Sequence, residues 1–207
     1  MFMYAIGKFF SQLYLNDCER MMLKKLHAPR TRKEVRLRAP FSIDHAELIN
    51  IGYGTEFQKH SRINLYPERI GKHTGCETKL TIGNNCFFGN RVTFLVGASI
   101  NVGDWVLVAD DVSFFSENHG INPESNTPYM NQQLISAPVS IGNNCWIGDK
   151  ATIMPGVSIG KGCIIGAMSV VTRDIPDYSI AVGCPAKVIK QYDFENHKWV
   201  RVKKMSL

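Results

Sequence analysis

The sequence predicts a mainly β protein whose core is a parallel β-helix of six-residue repeats. Between residues 141 and 171 an aliphatic side chain occupies every sixth position, and a small or modest side chain lies four residues after each of the first five. A period of six matches neither a helix nor a single alternating strand. It is typical of a solenoid, in which a short strand buries its apolar side chain only by stacking on the next coil. The aliphatic positions are Ile141, Ile147, Ile153, Ile159, Ile165 and Val171.

The same register extends upstream and also explains the cysteines. Ile82, Phe88 and Phe94 are six positions apart, and the count resumes after a two-residue slip. Three six-residue sides would close one coil, so Cys145 and Cys163, which are 18 positions apart, should lie one above the other. Buried cysteine behaves as a small hydrophobic residue, and we therefore interpret the cysteines of this register as packing residues.

Residues 1–44 follow a different pattern and form the first predicted segment. Apolar residues between positions 2 and 13 have helical spacing, and a basic run follows between positions 24 and 38. We expect the helix to pack on the coil or on a neighbouring subunit, as amphipathic helices usually do. The alternative is an interfacial helix beside a polybasic run, making peripheral contact with the inner face of a membrane.

The predicted coil domain spans residues 45–184, and its first part is imperfect. A six-residue step runs from Ile51 to Ile63 and then, less regularly, from Ile70 to Ile82. Terminal repeats of a solenoid are expected to be atypical because they cap an open stack.

A long excursion, residues 115–138, interrupts the repeat between Phe114 and Val139. It begins with Ser-Glu-Asn-His-Gly, so that His119 lies near its start. Loops carried on a rigid scaffold are where binding and catalytic residues gather. The sequence therefore predicts that the functional site involves this loop.

The coil should end near Pro176 and Pro185, because proline cannot donate to a strand ladder. Residues 185–207 are then a short C-terminal capping tail, a strand or helix that covers the open end of the coil.

Charge and cysteine content limit the choice of partners and location. The chain has 24 Lys and Arg against 18 Asp and Glu, a formal charge of +6, which suits anionic partners. No nucleic-acid recognition motif is present, and we predict no nucleic-acid partner. Six cysteines without a Cys-x-x-Cys pair argue against a disulfide framework and a zinc knuckle, so we expect no metal. With no signal peptide or spanning segment recognised, we expect a cytoplasmic protein.

Several motifs carry a resemblance to a known family. They are Ile141–Gly148, Ile153–Gly160, Val170–Pro176 and Gly183–Ile189, together with Asn-His-Gly around His119. Over roughly residues 82–190 the chain resembles the hexapeptide-repeat acyltransferases, and within them the sugar O-acetyltransferases that include galactoside, maltose, O-antigen and capsule-modifying enzymes. The resemblance implies a left-handed coil, acetyl-CoA as donor, and a homotrimer with sites between adjacent subunits.

The resemblance assigns the catalytic role to His119. Transfer of an acyl group from a thioester to a sugar hydroxyl requires a base, and an imidazole with an ordinary pKa of about 6.5 can accept that proton. We expect direct transfer without an acyl-enzyme, because the serines near the loop have no nucleophile-elbow setting. Glu117 and Asn118 are candidates to orient the base or bind the acceptor, and Asn90 is a further acceptor candidate.

The resemblance also implies a set of donor-binding residues on the coils after the loop. Asp149 departs from the serine often found there; since a carboxylate is a poor neighbour for phosphates, either only its backbone is used or the donor sits differently. The full set is Trp146, Gly148, Asp149, Gly166, Ala167, Thr172, Arg173, Lys187 and Lys190.

The function expected from the sequence is acetyl-CoA-dependent O-acetylation of a sugar, in a surface-polysaccharide, O-antigen or capsule glycan. One alternative is a γ-type carbonic anhydrase, which binds zinc through three histidines at subunit boundaries. Another is a non-catalytic trimeric scaffold. A serine acetyltransferase is disfavoured because its usual long helical N-terminal domain is not recognised in the sequence.

Overall fold

Short strands wind through three sheets in a fixed order, and each circuit stacks on the one before. The computed structural model describes residues 35–69, 72–73 and 75–202. The predicted N-terminal helix lies outside these residues. In chain order the strands are β1 Val35–Leu37, β2 Ser42–Ile43, β3 Ile49–Ile51, β4 Thr55–Phe57, β5 Arg62–Leu65, β6 Glu68–Arg69, β7 Lys72–His73, β8 Leu80–Ile82, β9 Phe87–Phe88, β10 Thr93–Val96, β11 Ile100–Val102, β12 Leu107–Val108, β13 Ser113–Phe115, β14 Glu117–Asn118, β15 Ile135–Ser136, β16 Val139–Ile141, β17 Trp146–Ile147, β18 Thr152–Ile153, β19 Ser158–Ile159, β20 Ile164–Ile165, β21 Val170–Val171, β22 Ser179–Gly183, β23 Ala186–Asp193 and β24 Lys198–Arg201.

The three sheets form the faces of a prism. The first face is β1-β4-β9-β12-β17-β20-β22-β23-β24, the second is β2-β5-β10-β13-β18-β21, and the third is β3-β8-β11-β16-β19. We call the turn from the first to the second face the first corner, the turn from the second to the third face the second corner, and the turn back to the first face the third corner. Two 3₁₀ turns of the described residues, Ala46–Leu48 and Tyr129–Asn131, both interrupt the second corner.

The register confirms the predicted parallel β-helix. Trp146 pairs in parallel with Ile164, so the preceding residues Cys145 and Cys163 lie on successive coils as expected. The repeat positions point inward, and Ile147, Ile153 and the other aliphatic residues of the repeat are buried. Stacking therefore builds one continuous apolar core from strands of two to four residues.

Aromatic rings fill the early coils. Phe57 stacks on Phe88 with ring centroids 4.2 Å apart, and Phe94 stacks on Phe114 at 4.7 Å. Edge contact between Phe88 and Phe94 at 5.7 Å joins the two columns. These pairs stabilise the coils before the loop beyond simple burial.

Ladders of Asn and Asp side chains hold successive coils together at the corners. At the third corner the Asn84 carboxamide oxygen accepts from the Tyr53 N–H at 2.9 Å, and Asn143 accepts from the Asp104 N–H at 3.0 Å. Each side chain thereby satisfies a backbone donor that the turn leaves outside the sheet.

The coil already includes residues before the predicted boundary at 45, since its first described strand, β1, starts ten residues upstream. Strand β1 pairs in parallel with β4, so that Val35 lies beside Thr55. The end of the basic run lies on this strand, where Arg36 and Arg38 both pair with Glu56, at 3.5 and 2.8 Å. Alternating Val35 and Leu37 bury their side chains in the core, which accounts for the early start.

The expected step from Ile70 to Ile82 cannot be followed at its first residue, but an antiparallel pair of strands lies on either side of that position. Between Leu65 and Leu80 the chain leaves the second corner as a hairpin, in which β6 and β7 pair antiparallel. Ile70 itself lies outside the described residues. Pro67, which cannot donate to a ladder, precedes the hairpin and breaks the repeat.

Beyond the last coil the first face changes direction. Strand β22 pairs in parallel with β20, whereas β23 and β24 continue the same face in antiparallel order. Among the described residues, the structure holds no helix with the length and apolarity that crossing a bilayer requires.

Candidate active site at the second corner

The loop that contains His119 leaves the second corner after β13. Strands β14 and β15 form an antiparallel ribbon at its base, in which Glu117 lies opposite Ser136. The buried Ser116 hydroxyl anchors the departure: it accepts from the N–H groups of Gly97 and Ala98, both at 3.2 Å, and donates to the Ala98 carbonyl at 2.6 Å. The site loop is thus fixed at its root to the turn of the preceding coil.

A buried glutamine organises the interior of the loop. The Gln132 side-chain oxygen accepts from the Asn122 N–H at 3.0 Å, and its amide nitrogen donates to the carbonyls of Asn122 and Thr127 at 2.9 and 3.0 Å. Gly120 lies directly against it: an added Cβ would come within 2.6 Å of the Gln132 Cβ and 2.8 Å of the Gln133 carbonyl oxygen. The close approach of Gln132 and Gln133 to this backbone thus explains why a glycine follows His119.

The His119 ring is exposed, and a backbone carbonyl sets its tautomer. Nδ1 lies 3.3 Å from the Tyr129 carbonyl oxygen. Because a carbonyl can only accept, Nδ1 carries the proton in this contact, and the neutral ring keeps a lone pair on Nε2. The structure therefore presents Nε2 of His119 as a proton acceptor.

Neither Glu117 nor Asn118 holds the ring among the described contacts. Asn118 is exposed and pairs through its backbone with Ile135, whereas the Glu117 side chain packs over Gly97. The sequence missed the Tyr129 contact because the carbonyl belongs to the backbone, and no residue type signals it.

The hairpin of β6 and β7 leaves the same corner, two coils before the loop, and the segment that follows it contacts the loop and the turn of the coil beneath the loop. Cys76 donates to the Ser136 carbonyl at 3.9 Å, and Thr78 donates to the Gly97 carbonyl at 3.0 Å. This contact cannot be recognised from the sequence, because it joins two insertions that are far apart in the chain.

A depression of about 510 Å³ lies within the loop. Its lining is dominated by amide and hydroxyl side chains with hydrogen-bonding capacity in both directions. These residues are Asn122, Ser125, Thr127, Asn131, Gln132 and Gln133, with Gly120, Ile121 and Ile135 completing the wall.

The structure distributes the predicted donor residues over two corners and the tail. Gly148, Asp149, Gly166 and Ala167 lie at the first corner, following β17 and β20 on the first face. Thr172 and Arg173 follow β21 and share the second corner with the His119 loop, whereas Lys187 and Lys190 lie on β23. The second face separates the two corners, so one chain does not bring these residues into a single groove.

Trp146 points outward as predicted, and it belongs to an apolar column on the first face. It is 50% exposed and pairs with Leu107 on one side and Ile164 on the other. Leu107 in turn pairs with Phe87, and these two side chains are 46% and 39% exposed. The column is an unpartnered surface of the described chain.

Asp149 and Asn90 are members of the first-corner ladder. The Asp149 carboxylate accepts from the Asp110 N–H at 3.0 Å, and Asp110 accepts from the Asn90 N–H at 2.8 Å. Beside them Arg91 donates to both carboxylate oxygens of Asp111, at 2.6 and 2.8 Å, and this contact lowers the pKa of Asp111. The Asp149 carboxylate thus has a structural partner of its own.

Gly148 and Gly166 serve the stacking of coils. A Cβ on Gly148 would lie 2.7 Å from the Ala167 nitrogen, and one on Gly166 would lie 2.7 Å from Cγ1 of Val182. Gly148 is buried, whereas Ala167, Thr172 and Arg173 are exposed.

The register cysteines are packing residues, as predicted. The thiols of Cys86, Cys145 and Cys163 are buried and donate to carbonyls of the next coil at 3.0 to 3.1 Å. Burial raises the pKa of Cys86, and the Cys163 contact together with burial raises the pKa of Cys145. The thiols of Cys86 and Cys145 are poor nucleophiles because the thiolate form is disfavoured. The contact with Cys145 lowers the pKa of Cys163 instead, but the Cys163 thiol is buried in the core.

Within the described part of the chain, no three His, Cys, Asp or Glu side chains converge in a way that could hold a metal ion.

Comparison with known families supports the repeat architecture. Residues 138–173 match the family described as bacterial transferase hexapeptide (six repeats), and residues 79–109 match the hexapeptide repeat of succinyl-transferase. The two matches flank the His119 loop.

Two curated relatives resemble the chain closely in sequence. A protein of Mycobacterium tuberculosis named as a probable acetyltransferase is 40% identical over 152 residues, which are 69% of this chain and 50% of the relative. The galactoside O-acetyltransferase of Escherichia coli is 36% identical over 128 residues, 58% of this chain and 62% of the enzyme. The chain thus spans between half and about 62% of the length of these relatives.

Solved structures share the fold at lower identity. AntD, an N-acyltransferase from Bacillus cereus solved with dTDP and 3-hydroxybutyryl-CoA, has a TM-score of 0.62 at 20% identity, covering 77% of this chain and 81% of AntD. The polySia-specific acetyltransferase NeuO has a TM-score of 0.53 at 24% identity, covering 84% and 70%. Taken with the stacked repeats, these likenesses show that the chain carries the hexapeptide repeats of bacterial transferases and is similar to hexapeptide-repeat acyltransferases in sequence and in its left-handed parallel β-helix.

Proposed function

We propose that the chain transfers an acetyl group from acetyl-CoA to a hydroxyl of a sugar, with His119 as general base. The observation that carries the proposal is the contact between His119 Nδ1 and the Tyr129 carbonyl at 3.3 Å, which leaves Nε2 free to accept a proton. The galactoside O-acetyltransferase relative supports an O-linked product. CoA ligands in the AntD complexes support the donor class.

The reaction needs only this base and correct placement of the two substrates. Nε2 of His119 takes the hydroxyl proton as the sugar oxygen attacks the thioester carbonyl. The tetrahedral intermediate then collapses, the C–S bond breaks, and the imidazolium returns its proton to the departing sulfur. The products are the O-acetyl sugar and free CoA thiol. Buried packing of Cys86, Cys145 and Cys163 favours this direct transfer over an acyl-cysteine.

The acceptor is a glycan unit of a surface polysaccharide, an O-antigen or a capsule. The depression of about 510 Å³ within the same loop supports a sugar, because its amides and hydroxyls can exchange hydrogen bonds with ring hydroxyls. The name of NeuO, a polySia-specific acetyltransferase, supports a polysaccharide among the acceptors of this fold. Glu117, Asn118 and Asn90 are the acceptor-side candidates.

The active form is a homotrimer in which adjacent copies complete each site. Two features support this. The predicted donor residues occupy two corners separated by the second face, and the apolar column of Phe87, Leu107 and Trp146 offers a contact surface. A cytoplasmic location is supported by the five free cysteines of the described residues and by the need for acetyl-CoA. Contact with the inner membrane face through residues 1–44 remains the alternative to packing for that segment.

The test is release of free thiol from acetyl-CoA over a panel of glycan acceptors. We expect His119→Ala to lower kcat by about a hundredfold or more while CoA affinity stays within twofold, because the base acts in the chemical step. His197→Asn is the matched control: His197 lies in the turn of the C-terminal hairpin with φ of +49°, a conformation that asparagine tolerates.

Unchanged turnover in His119→Ala would remove the proposed base. A wild-type protein that binds CoA but releases no thiol with any acceptor would favour a binding scaffold.

A further inference from the structure

A patch at the C-terminal end of the first face gathers positive charge around an apolar floor. Strands β23 and β24 border a depression of about 500 Å³. Val188, Ile189 and Val202 supply its apolar surface, and Lys187, Lys190 and Arg201 supply its charges.

The strand register forces two of these charges together. Lys190 lies directly opposite Arg201 in the antiparallel pair of β23 and β24, and the Val202 N–H donates to the Ile189 carbonyl at 3.1 Å to extend the pairing. Like charges directly opposite in a ladder are destabilising. Within residues 35–69, 72–73 and 75–202 no carboxylate forms an ion pair with Lys187, Lys190 or Arg201. The arrangement is therefore suited to an anion that would neutralise the pair.

Chemical complementarity favours a nucleotide over a bare anion. The floor formed by Val188, Ile189 and Val202 can pack against a flat ring, and the surrounding cations can bind phosphates. The family resemblance already predicts that Lys187 and Lys190 bind the donor. Arg201 had no such assignment, because it lies beyond every motif of the repeat.

We propose that Arg201, paired across the strands with Lys190, binds the phosphates of the donor and that the β23–β24 hairpin forms the nucleotide end of the donor site. This inference rests on the proposed function, since it takes CoA as the donor. The proposal extends the donor-binding surface from the coil to the β23–β24 hairpin.

Calorimetric titration of the full chain with CoA and with pantetheine, which lacks the phosphates, tests the proposal. We expect Arg201→Gln to weaken CoA about tenfold, because a charge-assisted contact is lost, and to leave pantetheine affinity unchanged. Lys198→Gln is the matched control, because Lys198 lies on the same strand but opposite Asp193 and outside the depression. It should bind CoA like the wild type.

CoA affinity within twofold of wild type in Arg201→Gln would overturn the inference, as would an equal loss of pantetheine affinity. A change of oligomeric state without a change in CoA affinity would overturn it too, by assigning the patch to a contact between copies. Failure of the wild type to bind CoA would instead overturn the proposed function itself.

Discussion

Gly120 shows how a single missing side chain fixes the geometry of the site. Its backbone lies against Gln132, whose amide holds both arms of the loop, and the same loop carries the Tyr129 carbonyl that orients His119. The sequence could single out His119 as a candidate, because a histidine at the interruption of a regular repeat is conspicuous. It could not predict the partner of that histidine, since the partner is a backbone atom ten residues away.

We expect Gly120→Ala to lower kcat about tenfold or more without a matching loss of CoA affinity. The added Cβ would lie 2.8 Å from the Gln133 carbonyl oxygen, so the backbone must shift and carry His119 with it. Kinetics with acetyl-CoA and a thermal melt check this, and the melt should change little because the loop lies outside the coil core. Gly75→Asn is the control, since a Cβ there meets nothing within 4 Å and asparagine tolerates φ of +79°. Equal losses in both variants would contradict the argument.

At the scale of elements, the corner ladders give the Asp149 side chain a structural role that is separate from its proposed contact with the donor. The sequence predicted the strands well, because each repeat position is buried by the same stacking contact. It did not predict the antiparallel pairing of β6 and β7, which departs from the parallel stacking of the coil. Insertions obey no period, and only the three-dimensional stack shows that this hairpin and the His119 loop leave the same corner.

Asp149→Ala should cost about 1 kcal/mol of unfolding free energy, because the Asp110 N–H loses its acceptor. Asp149→Asn keeps an oxygen at that position and should restore most of the loss. Urea denaturation measures both variants, and we expect CoA affinity within twofold of wild type in each, with donor contact limited to the backbone. If Asn proved as destabilising as Ala, the negative charge rather than the acceptor would be what the corner requires.

For the whole molecule, the proposed site depends most on the proposed assembly of three copies. The column of Phe87, Leu107 and Trp146 could not be recognised from the sequence as one surface, because its members belong to different coils. Only the six-residue register, once folded, aligns them on the outer side of the first face.

Leu107→Lys should convert the proposed trimer to monomers, because it places a charge in the centre of the apolar column. Light scattering after size exclusion would measure the molar mass. Turnover should fall together with the mass, since one chain does not bring both sides of the proposed donor groove together. Tyr53→Lys replaces another exposed side chain, 54% exposed at the third corner, and should leave the mass unchanged. A monomeric wild type with full activity would contradict the shared site.

The strand pairing also has a consequence for how the molecule opens. Hydrogen bonds between coils run along the prism axis. Each coil is therefore stabilised only by the coils directly above and below it. Local unfolding of such a stack of coils starts at its ends and moves inward. The His119 loop leaves from β13, the fourth of the six strands on its face, with neighbours on both sides. Fluctuations at either terminus are therefore damped before they reach the His119 ring.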